Sequence, residues 1–142
     1  MTLRIVLFDP AHTMGATAHP TQAHYQHMLD EPGSFRELWP HTFCAVDGDE
    51  LIAIGGSVVA EDKLAGWILF TDKIKPKHFL LIHRQALLFF HHSEKTVDSV
   101  FAHVDPDNPQ AVRWAGLLGL DARRADFLPG GKRMLRFENH VH

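Results

Sequence analysis

The most regular alternation of apolar and polar positions lies in Val97–Val104. There Val97, Ser99, Phe101 and His103 share one face, and Asp98, Val100, Ala102 and Val104 share the other. With β-branched and aromatic residues so frequent, this pattern predicts a strand buried on at least one face. Asp105-Pro106-Asp107-Asn108-Pro109 ends it, because proline cannot donate to a ladder and Asp and Asn favour turns and caps. Asn108 is placed to cap a helix with Pro109 as its first residue. Ala111, Trp114, Ala115, Leu117 and Leu118 then recur at helical spacing through Gln110–Leu118, and Gly119 predicts a left-handed stop.

The remaining chain reads in the same way. Leu3–Phe8 predicts a first strand closed by Asp9-Pro10, Ala11–Ala18 a loop, and Pro20–Leu29 a helix. Ser34–Trp39 predicts one further turn, with Ser34 as cap and Glu37 in capping-box spacing. Thr42–Val46 and Glu50–Ala60 flank Asp47-Gly48-Asp49, the clearest hairpin signal in the chain. Gly55-Gly56 predicts a bulge or a close backbone approach. After a turn at Glu61-Asp62, the nearly continuous apolar run Leu64–Thr71 predicts a central strand covered on both sides. A charged connection, Asp72–Lys77, leads into a helix from Pro76 to about His92 that is apolar almost all round and therefore expected to be buried or partner-facing. Two closing strands, about Ala122–Leu128 and Arg133–Phe137, are joined through Pro129-Gly130-Gly131. One domain over residues 1–137 is expected, with 138–142 as a polar tail.

Composition narrows the function. With 45% hydrophobic and 22% charged residues the chain is ordinary for a soluble protein, and no apolar run approaches the roughly 18 residues that span a bilayer. A net charge of −3 argues against a domain whose main task is neutralising nucleic-acid phosphates. The single cysteine, Cys44, excludes an internal disulfide, and Phe43-Cys44-Ala45-Val46 reads as buried strand. Among twelve histidines, His24 and His27 share a helical face near His19, while the adjacent His91 and His92 diverge. None forms a zinc ligand motif, so no metal is expected. A cytoplasmic location is the default expectation.

Asn108-x-x-Ala111, with Gly119 eight residues after the alanine and Leu120 beyond it, resembles the C-terminal motif of the Gcn5-related N-acetyltransferase (GNAT) superfamily. The predicted element order β, α, α, β, β, β, α, β, α, β, β is similar to that family's across nearly the whole chain. The resemblance implies an α/β fold with a mixed, mostly antiparallel central sheet flanked by helices. It also implies an acetyl-CoA loop at Thr71–Leu80, where glycines let backbone N–H groups cradle the pyrophosphate. Here the glycine positions fall near Pro76, His78 and Leu80, so the cradle reads as degenerate.

If acetyl-CoA binds, the candidate cofactor-binding residues are Lys73, Lys75, Lys77, His78 and Asn108. Many family members carry a Tyr acid four residues after the alanine, where this chain has Ala115. His103 is the remaining candidate for general base. A narrower resemblance, to the GNAT-like internal virion protein of short-tailed bacteriophages, rests on Leu51–Gly56, Trp67–Asp72, Lys75–Phe90 and Val97–Leu120. It implies a virion-associated or morphogenesis protein acting by protein contacts, through virion partners or self-association, with no cofactor. Its location would be the host cytoplasm or the virion. The alternative is an active acetyl-CoA-dependent N-acetyltransferase.

Overall fold

A computed structural model of the 142-residue chain describes residues 3–31, 42–60, 63–93, 99–127 and 131–140. The strands are β1 (Leu3–Leu7), β2 (Thr42–Asp47), β3 (Glu50–Ala60), β4 (Lys63–Phe70), β5 (Ser99–Val104), β6 (Asp121–Phe127) and β7 (Arg133–His140). They form one sheet in the order β1-β2-β3-β4-β5-β7-β6. β4 and β5 pair in parallel, whereas β1–β2, β2–β3, β5–β7 and β6–β7 are antiparallel. The helices are α1 (Gln26–Asp30), α2 (Pro76–Ser93) and α3 (Pro109–Leu117). This is the mixed, mostly antiparallel α/β architecture expected from the sequence. The predicted turns at Ser34–Trp39 and Glu61-Asp62 lie outside the described residues.

The chain divides into two compact units, Met1–Val58 with Trp67–Ile82, and Val59–Gly66 with His83–His142. In the first, Phe8, Leu29, Cys44, Val46, Leu51, Ile54 and Leu69 form the core. Gly48 turns the β2–β3 hairpin at a φ of 62°, the left-handed region that an Asp-Gly pair supplies cheaply. Of the two alternatives expected at Gly55-Gly56, a bulge is not found there, the register shifting instead between Ala45 and Val46, opposite Leu51–Ala53. Gly55 instead serves a close approach, since a Cβ there would stand 3.1 Å from the carbonyl oxygen of Trp67.

The single helix expected over Pro20–Leu29 is two pieces, a 3₁₀ segment at Pro20–Tyr25 followed by α1. Gln22 explains the break. Its backbone leaves helical geometry at φ −123°, and its amide pairs with the edge of β4, donating to the Ile68 carbonyl at 3.0 Å and accepting from the Phe70 N–H at 2.8 Å. Two strand-edge hydrogen bonds outweigh continuing one helical turn. Cys44 is fully buried, and burial pushes its thiol up to about 11, which suits packing rather than reactivity.

In the second unit, Asn108 caps α3 as expected, its side chain accepting from the Ala111 N–H at 3.2 Å with Pro109 following. The far end closes with Gly119 at φ 85°, the Leu120 N–H donating to the Ala115 carbonyl and the Gly119 N–H to the Gly116 carbonyl. This is the Schellman pattern, and its buried hydrophobic contact joins Leu120 and Ala115 in a core with Val104 and Phe137. β7 runs to His140, pairing Glu138 with Phe101 and His140 with Ser99. Residues 138–140 are therefore strand, not a frayed tail, because β5 offers them a full antiparallel partner.

Helix α2 corrects a second expectation. Ile82 is buried, but Leu80 and Leu88 are 55% and 62% exposed, so the helix buries a stripe and not its whole circumference. Among the described residues, no helix is long and apolar enough to cross a membrane.

Candidate functional site

The first turn of α2 carries Lys77 and His78, and the connection between β4 and α2 carries Lys73 and Lys75. Thr71 is buried at its start, its hydroxyl donating to the carbonyl of Leu51 at 2.6 Å and its N–H to that of Ile52 at 2.9 Å, beside the hairpin bulge. Onward, the Asp72 N–H donates to the Thr17 carbonyl, the Lys73 N–H to the Thr71 hydroxyl, and the Ile74 N–H to the Thr71 carbonyl. The Lys75 N–H donates to His78 Nδ1 at 3.0 Å, the His78 N–H returns to the Lys75 carbonyl, and Pro76 has no N–H. A cradle for an anion needs N–H groups pointing at the ligand, and those of residues 71–75 and of His78 are spent inside the protein.

His78 is the residue that closes the loop. It stands at the third helical position and reaches back to the N–H of the cap residue, the reciprocal half of a capping box played by imidazole where Glu or Gln is usual. Because Nδ1 accepts from Lys75, Nε2 carries the proton and donates to Asp47 Oδ2 at 2.8 Å. The ring is buried, and its hydrogen bond holds the Asp47 carboxyl below the usual carboxylate range. The side chain expected to contact a cofactor is thus turned inward and fully committed. Lys73, Lys75 and Lys77 remain exposed and can meet phosphate by charge. The cavity beside them, about 280 Å³, is lined by Asp49, Glu50 and Asp72 as well as His12 and Lys73, a wall too acidic to favour an anion.

The second unit brings different chemistry together. His103 points from β5 to the sheet face opposite the α3 core, and its Nε2 donates to Asp126 Oδ2 on β6 at 2.9 Å. Asp126 also accepts from Arg124 Nε at 2.9 Å on its other oxygen, with Arg136 Nη1 at 3.9 Å. The hydrogen bond from His103, and after it the charge of Arg124, hold the Asp126 carboxyl below its ordinary range, so it stays an acceptor. His103 Nδ1 has no hydrogen-bond partner among the described residues, and the side chain is 30% exposed. Beneath the pair, the buried Arg136 guanidinium lies 3.7 Å over the Phe101 ring and donates from Nε to Glu138, which Lys63 approaches at 3.7 Å.

Asp126 was not among the residues singled out from sequence, and the reason is register. Even spacing groups Ala122 with Arg124 and Asp126, yet a bulge between Ala122 and Arg124 separates them. Ala122 sits opposite the core residue Phe137, whereas Arg124 sits opposite Arg136, the cross-strand partner of His103. Asn108 spends its side-chain oxygen on capping α3. Trp114, beside the missing tyrosine position, donates its indole N–H to His83 Nδ1 at 2.8 Å. Among the described residues, no three of His, Cys, Asp and Glu gather as a metal site. Among the described residues, the parallel register of β4 with β5 comprises Leu64↔Val100 and Ala65↔Phe101.

No family model matches the chain, and no curated protein matches it in sequence. Solved structures do. Ard1 from Thermoplasma volcanium aligns over 100% of this chain and 99% of its own at a TM-score of 0.77 and 11% identity. The fold is that of the GNAT acetyltransferases. The Escherichia coli ribosomal-protein-S18-alanine N-acetyltransferase aligns over 99% of this chain and 94% of its own, with a TM-score of 0.66 and 15% identity. A Bacillus subtilis acetyltransferase solved in complex with CoA aligns over 99% of this chain and all of its own, with a TM-score of 0.66 and 12% identity. At these identities the likeness establishes the GNAT fold. The narrower resemblance to phage internal virion proteins gains no support from the comparisons.

Proposed function

We propose that this GNAT-fold chain is an acetyl-CoA-dependent N-acetyltransferase, in place of the cofactor-free virion role expected first from its sequence. The observation that carries the reading is His103, an imidazole whose Nδ1 has no partner among the described residues, held on a sheet face by an ionised carboxylate. An imidazole so held can serve as a general base toward an amine. The likeness to acetyltransferases over nearly full length supports it, and one of them binds CoA.

Lys73, Lys75 and Lys77 would hold the phosphates by charge, since the loop's own N–H groups are occupied. When bound, acetyl-CoA supplies an activated thioester. His103 would accept the proton that the amine gives up as its nitrogen becomes a nucleophile. Ala115 offers no acid to the departing sulfur, so that proton comes from the amine or solvent. Binding through exposed lysines should weaken steeply with salt, unlike binding in a backbone cradle.

The test is titration with acetyl-CoA at low and high salt, paired with release of free thiol in the presence of an alanyl peptide or a polyamine. At 100 times the dissociation constant the ligand should add about 2.7 kcal/mol to stability. Saturable binding that falls with salt, together with amine-dependent thiol release, is the expected result. Absence of binding at millimolar ligand would overturn the reading. A second reading, a non-enzymatic protein acting through contacts, is favoured by the self-satisfied loop and the exposed Leu80 and Leu88. It predicts neither binding nor thiol release.

A further inference from the structure

The geometry points to Asp126 as the positioning residue for His103: it fixes the ring so that Nε2 keeps its proton and Nδ1 presents the lone pair to the reacting amine. This rests on the acetyltransferase reading and adds to it a residue, a tautomer and a reacting atom.

Three observations converge. Asp126 Oδ2 stands 2.9 Å from His103 Nε2, and a carboxylate can only accept, so the neutral ring is protonated at Nε2. Asp126 is itself held, with Arg124 Nε at 2.9 Å on the opposite oxygen, so the carboxylate cannot rotate away without losing a charge-assisted bond. The β6 bulge between Ala122 and Arg124 turns Arg124 and Asp126 to the face of His103 and leaves Ala122 opposite the core residue Phe137. Bulges recur where a side chain must be re-aimed. The charged groups around the pair are Arg124 on β6, Arg136 and Glu138 on β7, and Lys63 on β4. The histidine held by Asp47 lacks the opening, because both of its nitrogens are engaged.

In the step this serves, an ammonium substrate loses one proton to His103 Nδ1. The amine nitrogen then bonds to the acyl carbon of the thioester while the carbon–sulfur bond breaks, its electron pair leaving on sulfur. The second nitrogen proton passes to that sulfur through solvent, and His103 returns its proton to water. The products are an amide, a free thiol and one proton, with no oxidant or reductant required.

The experiment combines histidine ¹⁵N NMR of the full chain with steady-state kinetics for wild type, Asp126→Ala and Asp126→Asn. The wild-type neutral ring of His103 should be protonated at Nε2. Asp126→Ala should lose that tautomer preference and lower kcat by about 10- to 1,000-fold, with KM for acetyl-CoA within about twofold of wild type. Asp126→Asn keeps an acceptor oxygen and should recover part of both. An unchanged His103 tautomer, or an unchanged kcat, in Asp126→Ala would overturn the assignment. A wild-type protein that turns over no acetyl-CoA would remove the base role, while the NMR would still report whether Asp126 sets the ring.

Discussion

Two histidine–aspartate pairs in this molecule have almost the same bond length and different surroundings. His78 and Asp47 meet at 2.8 Å, and His103 and Asp126 at 2.9 Å. In each, the imidazole holds the carboxyl below its ordinary range by hydrogen bonding. The difference lies at the other ring nitrogen and in exposure. The His78 side chain is 2% exposed and its Nδ1 takes the Lys75 N–H, so the ring is a strut between β2 and the start of α2. The His103 side chain is 30% exposed, and its Nδ1 has no partner among the described residues. Hydrogen bonding alone therefore does not mark a site. On the proposed function, an unspent lone pair within reach of solvent does.

The largest effect that tests this contrast is on turnover. Replacing a general base costs typically 10²- to 10⁴-fold in rate. His103→Ala should lower kcat for acetyl transfer by about that factor, yet leave the unfolding free energy within about 0.5 kcal/mol of wild type, since the side chain is part-exposed. A His103→Ala enzyme with full kcat would break the comparison, because the open pair would then be no more functional than the closed one.

Next in size is His78→Ala. It removes a buried ring, strands the Lys75 N–H without its cap, and leaves Asp47 without its donor. Each lost buried hydrogen bond and the cavity add to the cost, together roughly 3 kcal/mol of unfolding free energy by denaturant titration. A loss under about 1 kcal/mol would mean that His78 is not the strut described. With the Lys75 N–H released, this variant should also bind acetyl-CoA with less salt dependence than wild type. His78→Gln, which can satisfy the Lys75 N–H from the same helical position, should recover part of the stability.

A third variant compares His78 with the cap that could be read directly from sequence. Asn108→Ala removes one side-chain acceptor at the start of α3 and should cost about 1 kcal/mol, less than His78→Ala because no buried partner is orphaned.

That contrast also describes what the sequence could reveal. Asn108, Pro109 and Gly119 act through neighbours three to five residues away, so their spacing alone predicted the cap and the stop of α3. The same locality made the Asp47-Gly48 hairpin legible. His78 acts partly through Asp47, 31 residues earlier, and the sequence offered it only as a side chain intruding on a cofactor loop. His103 could be nominated as a base from its place late in β5, but its partner could not. The pairing of His103 with Asp126 depends on the β6–β7 register and on one bulge, which alternation in β6 does not encode. Tertiary pairing likewise overrode local propensity at Gln22, and at residues 138–140 a polar stretch became strand because β5 pairs with it across Ser99–Phe101.

The smallest effect separates the two carboxylates by pH. Both are depressed in the folded chain, so each contributes stability that is fully present above the unfolded value, about 3.9, and is lost as pH falls through the lower folded value. Denaturant titrations below pH 4 should therefore show unfolding free energy declining, and Asp47→Asn and Asp126→Asn should each flatten that decline. At pH 7 the two variants should part. Asp47→Asn keeps an acceptor for the His78 Nε2 proton and should leave catalysis intact, whereas Asp126→Asn should reduce kcat because an amide orients the reacting imidazole less firmly than a carboxylate. Equal kcat for the two variants would collapse the distinction between strut and site, whatever their acid limbs show.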